Sequence, residues 1–137
     1  MAAQVLAACG NDCAACPRYT AAPYEKTPDE LRRTAELWYA IGYRDRIVSN
    51  EEVACSGCST ENWCRYRVAS CCAEKSIPNC GRCPDFPCAT LSDCFAVTAS
   101  FARRCRAVCT ADELARLTRA FFEKEQNLRK EQLHEKR

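Results

Sequence analysis

The 137-residue sequence has a single histidine, His134, and only four glycines. This histidine lies in a highly charged C-terminal segment, where it is a poor candidate for a metal ligand. With so few glycines, no phosphate-binding glycine loop is evident. No arrangement of general acid, base and nucleophile indicates turnover. These absences favour a non-enzymatic role, but enzyme status stays open because clustered reduced thiols can themselves carry out chemistry.

Long apolar runs are also missing. No stretch approaches the roughly 20 apolar residues that a membrane span requires. Residues 2–8 are apolar but short, and no Lys or Arg precedes them, so they do not fit a secretory signal. Leu6-Ala7-Ala8-Cys9 is similar to a lipoprotein cleavage box, but its cysteine comes too early in the chain. We therefore expect a cytoplasmic protein whose clustered, reduced cysteines bind metal rather than form disulfides.

The chain has no excess of either charge. It carries 20 Lys and Arg against 18 Asp and Glu, a formal net charge of +2 with every thiol neutral. A zinc ion held by four thiolates adds about −2, so two such sites would bring the total to about −2. Scattered arginines balanced by acids make nucleic acid and anionic membranes unexpected partners. A protein partner or a small ligand is compatible with this composition.

What the sequence does contain is cysteine, with 14 residues, a level typical of chains held together by metals or disulfides. The densest run is Asn79-Cys80-Gly81-Arg82-Cys83-Pro84-Asp85-Phe86-Pro87-Cys88. Its glycine and prolines oppose regular structure, so the run predicts a metal-binding knuckle. Cys55-Ser56-Gly57-Cys58 predicts another metal-binding turn of this kind. A thioredoxin-like redox pair is the alternative, but such a pair would follow a strand that is not evident here.

The N-terminal cluster contains Cys9, Cys13 and Cys16. Its CxxxCxxC spacing is that of radical S-adenosylmethionine enzymes, but the chain is too short for their barrel. A structural metal clip is the preferred interpretation. The thiols after Cys88, which are Cys94, Cys105 and Cys109, are interpreted as packing residues, because they fall on or just beyond the apolar stripe of a helix predicted over residues 89–108.

Capping boxes predict helices that start after Thr27, Ser49 and Thr110. The first helix ends near Gly42 and buries Trp38 and Tyr39 in a core. A continuous helix over residues 63–75 would place Cys64 and Cys72 on one face, roughly 12 Å apart, too far to share one metal. The last helix becomes charged on nearly every face from Glu123 onward, which predicts a solvated helix or frayed tail. No internal repeat is evident.

These motifs resemble a bacterial and archaeal family of small cysteine-rich proteins, domain-of-unknown-function family 3795. The resemblance covers about residues 9–91, through Cys9–Cys16, Tyr19, Cys55–Cys58, Cys72-Ala73-Glu74-Lys75 and, most specifically, residues 79–88. It implies a metal-binding module with no established activity, and it favours Cys72 over the adjacent Cys71 as a ligand. The Cys71-Cys72 doublet and the thiols beyond Cys88 depart from the family pattern.

The sequence thus predicts a mainly α, small cysteine-rich domain stabilised by metal. A cysteine-rich metal-binding domain with irregular metal-binding loops spans residues 1–92, and a C-terminal helical extension, residues 93–137, packs on it and ends in a solvated tail. About two zinc sites are expected, and an iron–sulfur cluster or thiol redox protein is the alternative. Spacing alone does not assign the ligands to sites. The candidate ligands are Cys9, Cys13, Cys16, Cys55, Cys58, Cys64, Cys72, Cys80, Cys83 and Cys88.

Overall fold

A computed structural model describes residues 4–61 and 64–135 of the chain, the last two by their backbone alone. This part of the chain is mainly helical and contains no β-strand, only two isolated bridges. The mainly α prediction with a C-terminal helix is therefore confirmed. The helices are α1 Pro28–Ile41, α2 Asn50–Val53, α3 Val68–Glu74, α4 Ala89–Val108, α5 Ala111–Leu117 and α6 Lys124–Glu135.

Helix α1 forms where its local signals predict. The Thr27 hydroxyl accepts the Glu30 N–H at 3.1 Å, and the Glu30 carboxylate accepts the Thr27 N–H at 3.3 Å. Gly42 ends the helix in the left-handed conformation, φ 97°, which glycine adopts without steric cost. Helix α4 also spans the predicted residues.

The main core lies between α1, α4 and α5. Trp38, Ile41, Cys105 and Leu117 are all at least 97% buried there and are surrounded by aromatic rings. Trp38 is core as predicted, but the expectation for Tyr39 is wrong: its side chain is 51% exposed because it lies on the outer side of α1. Cys94 and Cys105 are buried, as the apolar stripe of α4 predicts.

The helix predicted over residues 63–75 is shorter than expected. Helix α3 begins only at Val68, because Arg67 adopts a left-handed conformation, φ 52°, that cannot continue a helix. Cys64 lies before this point, in a turn in which its carbonyl accepts the Arg67 N–H at 3.1 Å. The helical spacing that separated Cys64 from Cys72 therefore does not apply. Trp63 lies outside the described residues.

The C-terminal segment also differs from the prediction. The capping box at Thr110 forms, but α5 ends at Leu117 in a π-helical turn, Thr118–Phe122, from which α6 continues. Lys124, Asn127 and Leu128 of α6 are 8%, 6% and 0% exposed, so a solvated tail is wrong for this part of the helix. The opposite face and the distal end are solvated: Gln126, Arg129 and Lys130 are exposed, and Leu133 is 65% exposed. The described residues contain no helix long and apolar enough to cross a membrane.

Candidate metal-binding knuckles

Two turns of the chain share one backbone design. We call residues 12–19 the first knuckle and residues 79–86 the second knuckle. Each begins with an Asx side chain that caps a 3₁₀ turn: Asp12 accepts the Ala14 N–H at 3.1 Å, and Asn79 accepts the Gly81 N–H at 2.9 Å. Asp12 and Asn79 are 8% and 4% exposed. A capped turn of this kind fixes the direction of both cysteines of a Cys-x-x-Cys pair.

The same hydrogen bonds close both turns. The Cys16 N–H donates to the Cys13 carbonyl at 3.0 Å, and the Cys83 N–H donates to the Cys80 carbonyl at 3.1 Å. A proline and an aromatic residue then follow in each knuckle. The sequence therefore does contain a short repeat, Asx-Cys-x-x-Cys-Pro-x-aromatic, and the expectation of no repeat is wrong. The two copies agree in residue class rather than in identity. A search by residue class would have identified Asp12 and Asn79 as equivalent capping residues.

The loop that carries Cys55 and Cys58 lies beside the first knuckle. The Cys55 N–H donates to the Arg18 carbonyl at 2.8 Å, which holds the two segments side by side. Burial, followed by neighbouring thiols with Cys16 first, raises the pKa of the Cys13 thiol to about 12, although a hydrogen bond from the Cys58 N–H opposes this rise. Burial also raises the pKa of Cys16. The structure thus brings a Cys-x-x-Cys pair and a Cys-x-Gly-Cys pair together.

The second knuckle faces helix α3. The sulfurs of Cys72 and Cys80 are 3.7 Å apart, and burial raises the pKa of both thiols. Cys72 is 3% exposed, whereas Cys71 points to solvent. Cys88, the residue just before α4, also raises the pKa of Cys80.

A lysine completes the surroundings of the second knuckle. Lys75, just after α3, donates a hydrogen bond to the Cys83 sulfur at 3.1 Å and forms an ion pair with Asp85 at 3.5 Å. The Cys83 contact raises the pKa of this ammonium above its ordinary value. A four-thiolate metal site carries net negative charge. An ammonium at hydrogen-bond distance from one of its sulfurs would stabilise that charge.

The two remaining candidate ligands lie between the knuckles. Cys9 packs against the cluster of Ala8, Val68 and Cys72 on the side of the second knuckle, so the N-terminal triple is divided. Partial desolvation raises the pKa of Cys58, and the nearby Cys9 and Cys64 thiols raise it further. These proximities divide eight of the ten candidate ligands into two groups: Cys13, Cys16, Cys55 and Cys58 near the first knuckle, and Cys72, Cys80, Cys83 and Cys88 near the second. Cys58 also lies near Cys72, so it is placed between the two groups.

The donor chemistry of these groups fits zinc, but in neither group do the sulfur atoms surround one point. All cysteines are free thiols. Within residues 4–61 and 64–135, no three Cys, His, Asp or Glu side chains are arranged to hold a metal ion. The 3.7 Å between Cys72 and Cys80, however, matches the separation of about 3.8 Å between sulfurs placed about 2.3 Å from a tetrahedral zinc. A disulfide would require about 2.05 Å. The remaining ligands would have to turn inward by side-chain rotation.

Comparison with known proteins identifies a family but no activity. No curated protein and no solved structure matches the chain. Residues 5–93, which contain both knuckles and all ten candidate ligands, match the family described as Protein of unknown function (DUF3795). The match includes the residues on which the sequence resemblance rests, and it ends within α4. The chain therefore belongs to the DUF3795 family.

Proposed function

We propose that this protein is a zinc-binding module with two structural sites, one at each knuckle. The first site uses Cys13, Cys16, Cys55 and Cys58, and the second uses Cys72, Cys80, Cys83 and Cys88. The observation that carries the proposal is the repeated capped Cys-x-x-Cys turn, each copy lying beside further thiols. Bound zinc would supply cross-links between loops that have little regular structure, with no open position for a substrate.

The state of the thiols supports a structural rather than a catalytic role. Catalytic and redox cysteines are marked by lowered pKa values, because the thiolate is the reactive form. The pKa values of Cys13, Cys16, Cys72 and Cys80 are instead raised, chiefly by burial. Such thiols are poor nucleophiles without metal, whereas a metal ion displaces their protons and holds the thiolate form.

The role proposed for the folded module is recognition of a protein partner or a small ligand in the cytoplasm. The near balance of 20 basic and 18 acidic side chains gives no electrostatic drive toward nucleic acid. An iron–sulfur or thiol redox protein is the competing function, because four thiolates also suit iron–sulfur clusters.

Metal analysis of protein purified without oxygen tests the proposal. We expect a colourless protein with about two zinc atoms per chain, because each four-thiolate site binds one ion. A brown sample that absorbs near 400 nm and contains stoichiometric iron and acid-labile sulfide would contradict it in favour of the iron–sulfur alternative. Metal-free protein that retains its fold would contradict both the zinc module and the iron–sulfur alternative and would favour a thiol redox protein.

A further inference from the structure

Helix α6 lies against the second knuckle and against Gly10, two residues before the first knuckle, and Leu128 contacts both. Gly10 precedes the first knuckle, and a Cβ placed on it would come within 2.8 Å of the Leu128 Cγ. Gly81 lies inside the second knuckle, where a Cβ would meet the Leu128 carbonyl oxygen and come within 2.7 Å of the Glu131 Cβ. Both backbones therefore approach α6 more closely than a side chain would allow. Leu128 is 0% exposed between them.

Polar contacts connect α6, and the π-helical turn that leads into it, to the two knuckles: the Asp12 N–H of the first knuckle donates to the Ala120 carbonyl of that turn at 2.9 Å. Asn127 donates its side-chain N–H to the Gly10 carbonyl at 3.0 Å. Glu131 accepts hydrogen bonds from the Asn79 side chain at 2.9 Å and from Arg82 at 3.3 Å. Asn79 is also the residue whose oxygen caps the second knuckle, so one side chain joins the metal-binding turn to the helix.

We propose that α6 couples the two metal sites, so that zinc at one knuckle increases the affinity of the other for zinc. This inference rests on the proposed function and adds regulation to it. A metal ion fixes the turn to which it binds, and α6 docks only where both turns are closed. With one turn already closed by the first ion, binding of the second ion also gains the free energy of α6 docking, so the second ion binds more tightly than it would alone. The coupling element lies outside the segment, residues 5–93, that matches the family.

A double-mutant cycle on the full chain measures the coupling. Cys80→Ser/Cys83→Ser disables the second site, and a zinc competition titration then gives the affinity of the first site. We expect this affinity to fall about 5- to 150-fold relative to the intact chain, the range typical of coupled sites. In a Leu128→Ala background the same pair of substitutions should change it less than about twofold. Leu133→Ala, at a 65% exposed position of the same helix, is the matched control and should retain the full effect.

A second readout does not depend on affinity. Hydrogen–deuterium exchange of α6 amides should be slow with two zinc ions bound and fast when either site is disabled, because α6 docks only when both turns are closed.

If Leu128→Ala prevents folding, Glu131→Gln replaces it in the double-mutant cycle. This milder change weakens the charge-assisted bonds to Asn79 and Arg82 without opening a cavity.

The outcomes separate this inference from the proposed function. Two zinc ions that bind with affinities unaffected by loss of the other site would overturn the coupling and leave the zinc sites intact. Equal protection of α6 in the two-zinc and single-site proteins would overturn it as well. A chain that binds no zinc would refute both.

Discussion

At the scale of single residues, burial decides which thiol of the Cys71-Cys72 doublet can act as a ligand. Adjacent helical residues point about 100° apart, so one faces the second knuckle and the other faces solvent. The structure turns Cys72 toward Cys80, at 3.7 Å between the sulfurs, and leaves Cys71 exposed. The sequence could predict the orientation of the doublet because helical geometry is local; that Cys72 is a metal ligand stays a prediction, supported by its match to the family pattern.

The doublet gives a matched pair of variants. Cys72→Ser should lose about one zinc equivalent per chain, because a hydroxyl is a much weaker zinc ligand than a thiolate. Cys71→Ser should keep both ions and the melting temperature, since its side chain lies in solvent. Zinc content and thermal unfolding of the two purified variants test this expectation. The reverse pattern would assign the ligand to Cys71.

Cys105 predicts a pH dependence of stability that is independent of metal. Burial, followed by the neighbouring Cys109 thiol, raises its pKa from 9.0 to about 12 in the folded protein. The folded state therefore holds the proton more tightly than the unfolded state, so stability is fully present below pH 9.0 and falls as pH rises toward 12. Cys105→Ala should make this fall shallower in urea unfolding measured across that range. Val97→Ala, a truncation on the same helix without a titrating group, should leave the slope unchanged.

At the scale of elements, the sequence correctly predicted helix ends that are determined by residues close by in the chain. The capping box at Thr27, the stop at Gly42 and the bounds of α4 depend on neighbouring residues and were confirmed. Two other features were predicted wrongly, and the second depends on distant parts of the chain. Helix α3 is delayed by the left-handed Arg67, and α6 is buried because Leu128 meets Gly10 and Gly81, which no periodicity within α6 reveals.

The Asx caps of the knuckles give a prediction at this scale. The Asp12 side chain accepts N–H groups from Val5 at 3.0 Å and Ala14 at 3.1 Å while almost fully buried. Asp12→Ala would leave both donors without a partner and should destabilise the protein by about 1 to 3 kcal/mol. It should also accelerate zinc loss from the first knuckle. Asp12→Asn is the matched control, since Asn79 caps the second knuckle with the same oxygen. Equal stability of all three proteins in urea unfolding would contradict this role.

At the scale of the whole molecule, the sequence proposes a set of candidate ligands, but it does not assign them to sites. All ten candidate thiols lie in residues 9–88, but their grouping depends on tertiary contacts. Cys55 is close to the first knuckle because its N–H donates to the Arg18 carbonyl, and Cys9 packs against the cluster that contains Cys72. Such pairings join segments that are distant in the chain, so the spacing of the cysteines does not encode them.

Removal of metal should unfold the whole molecule. In the part of the chain that the structure describes, the largest side chains with less than 2% exposure are Ile41, Leu91, Leu117, Leu128, Val53 and Cys105. A core of this size offers limited stability, whereas a structural zinc site contributes on the order of 10 kcal/mol in small zinc-binding domains. A strong chelator under reducing conditions should therefore abolish the cooperative thermal transition, and added zinc should restore it. The chelator's effect is measured by circular dichroism, with the same chelator presaturated with zinc as the control. A metal-free chain that keeps its native spectrum and melting curve would show that helix packing alone maintains the fold.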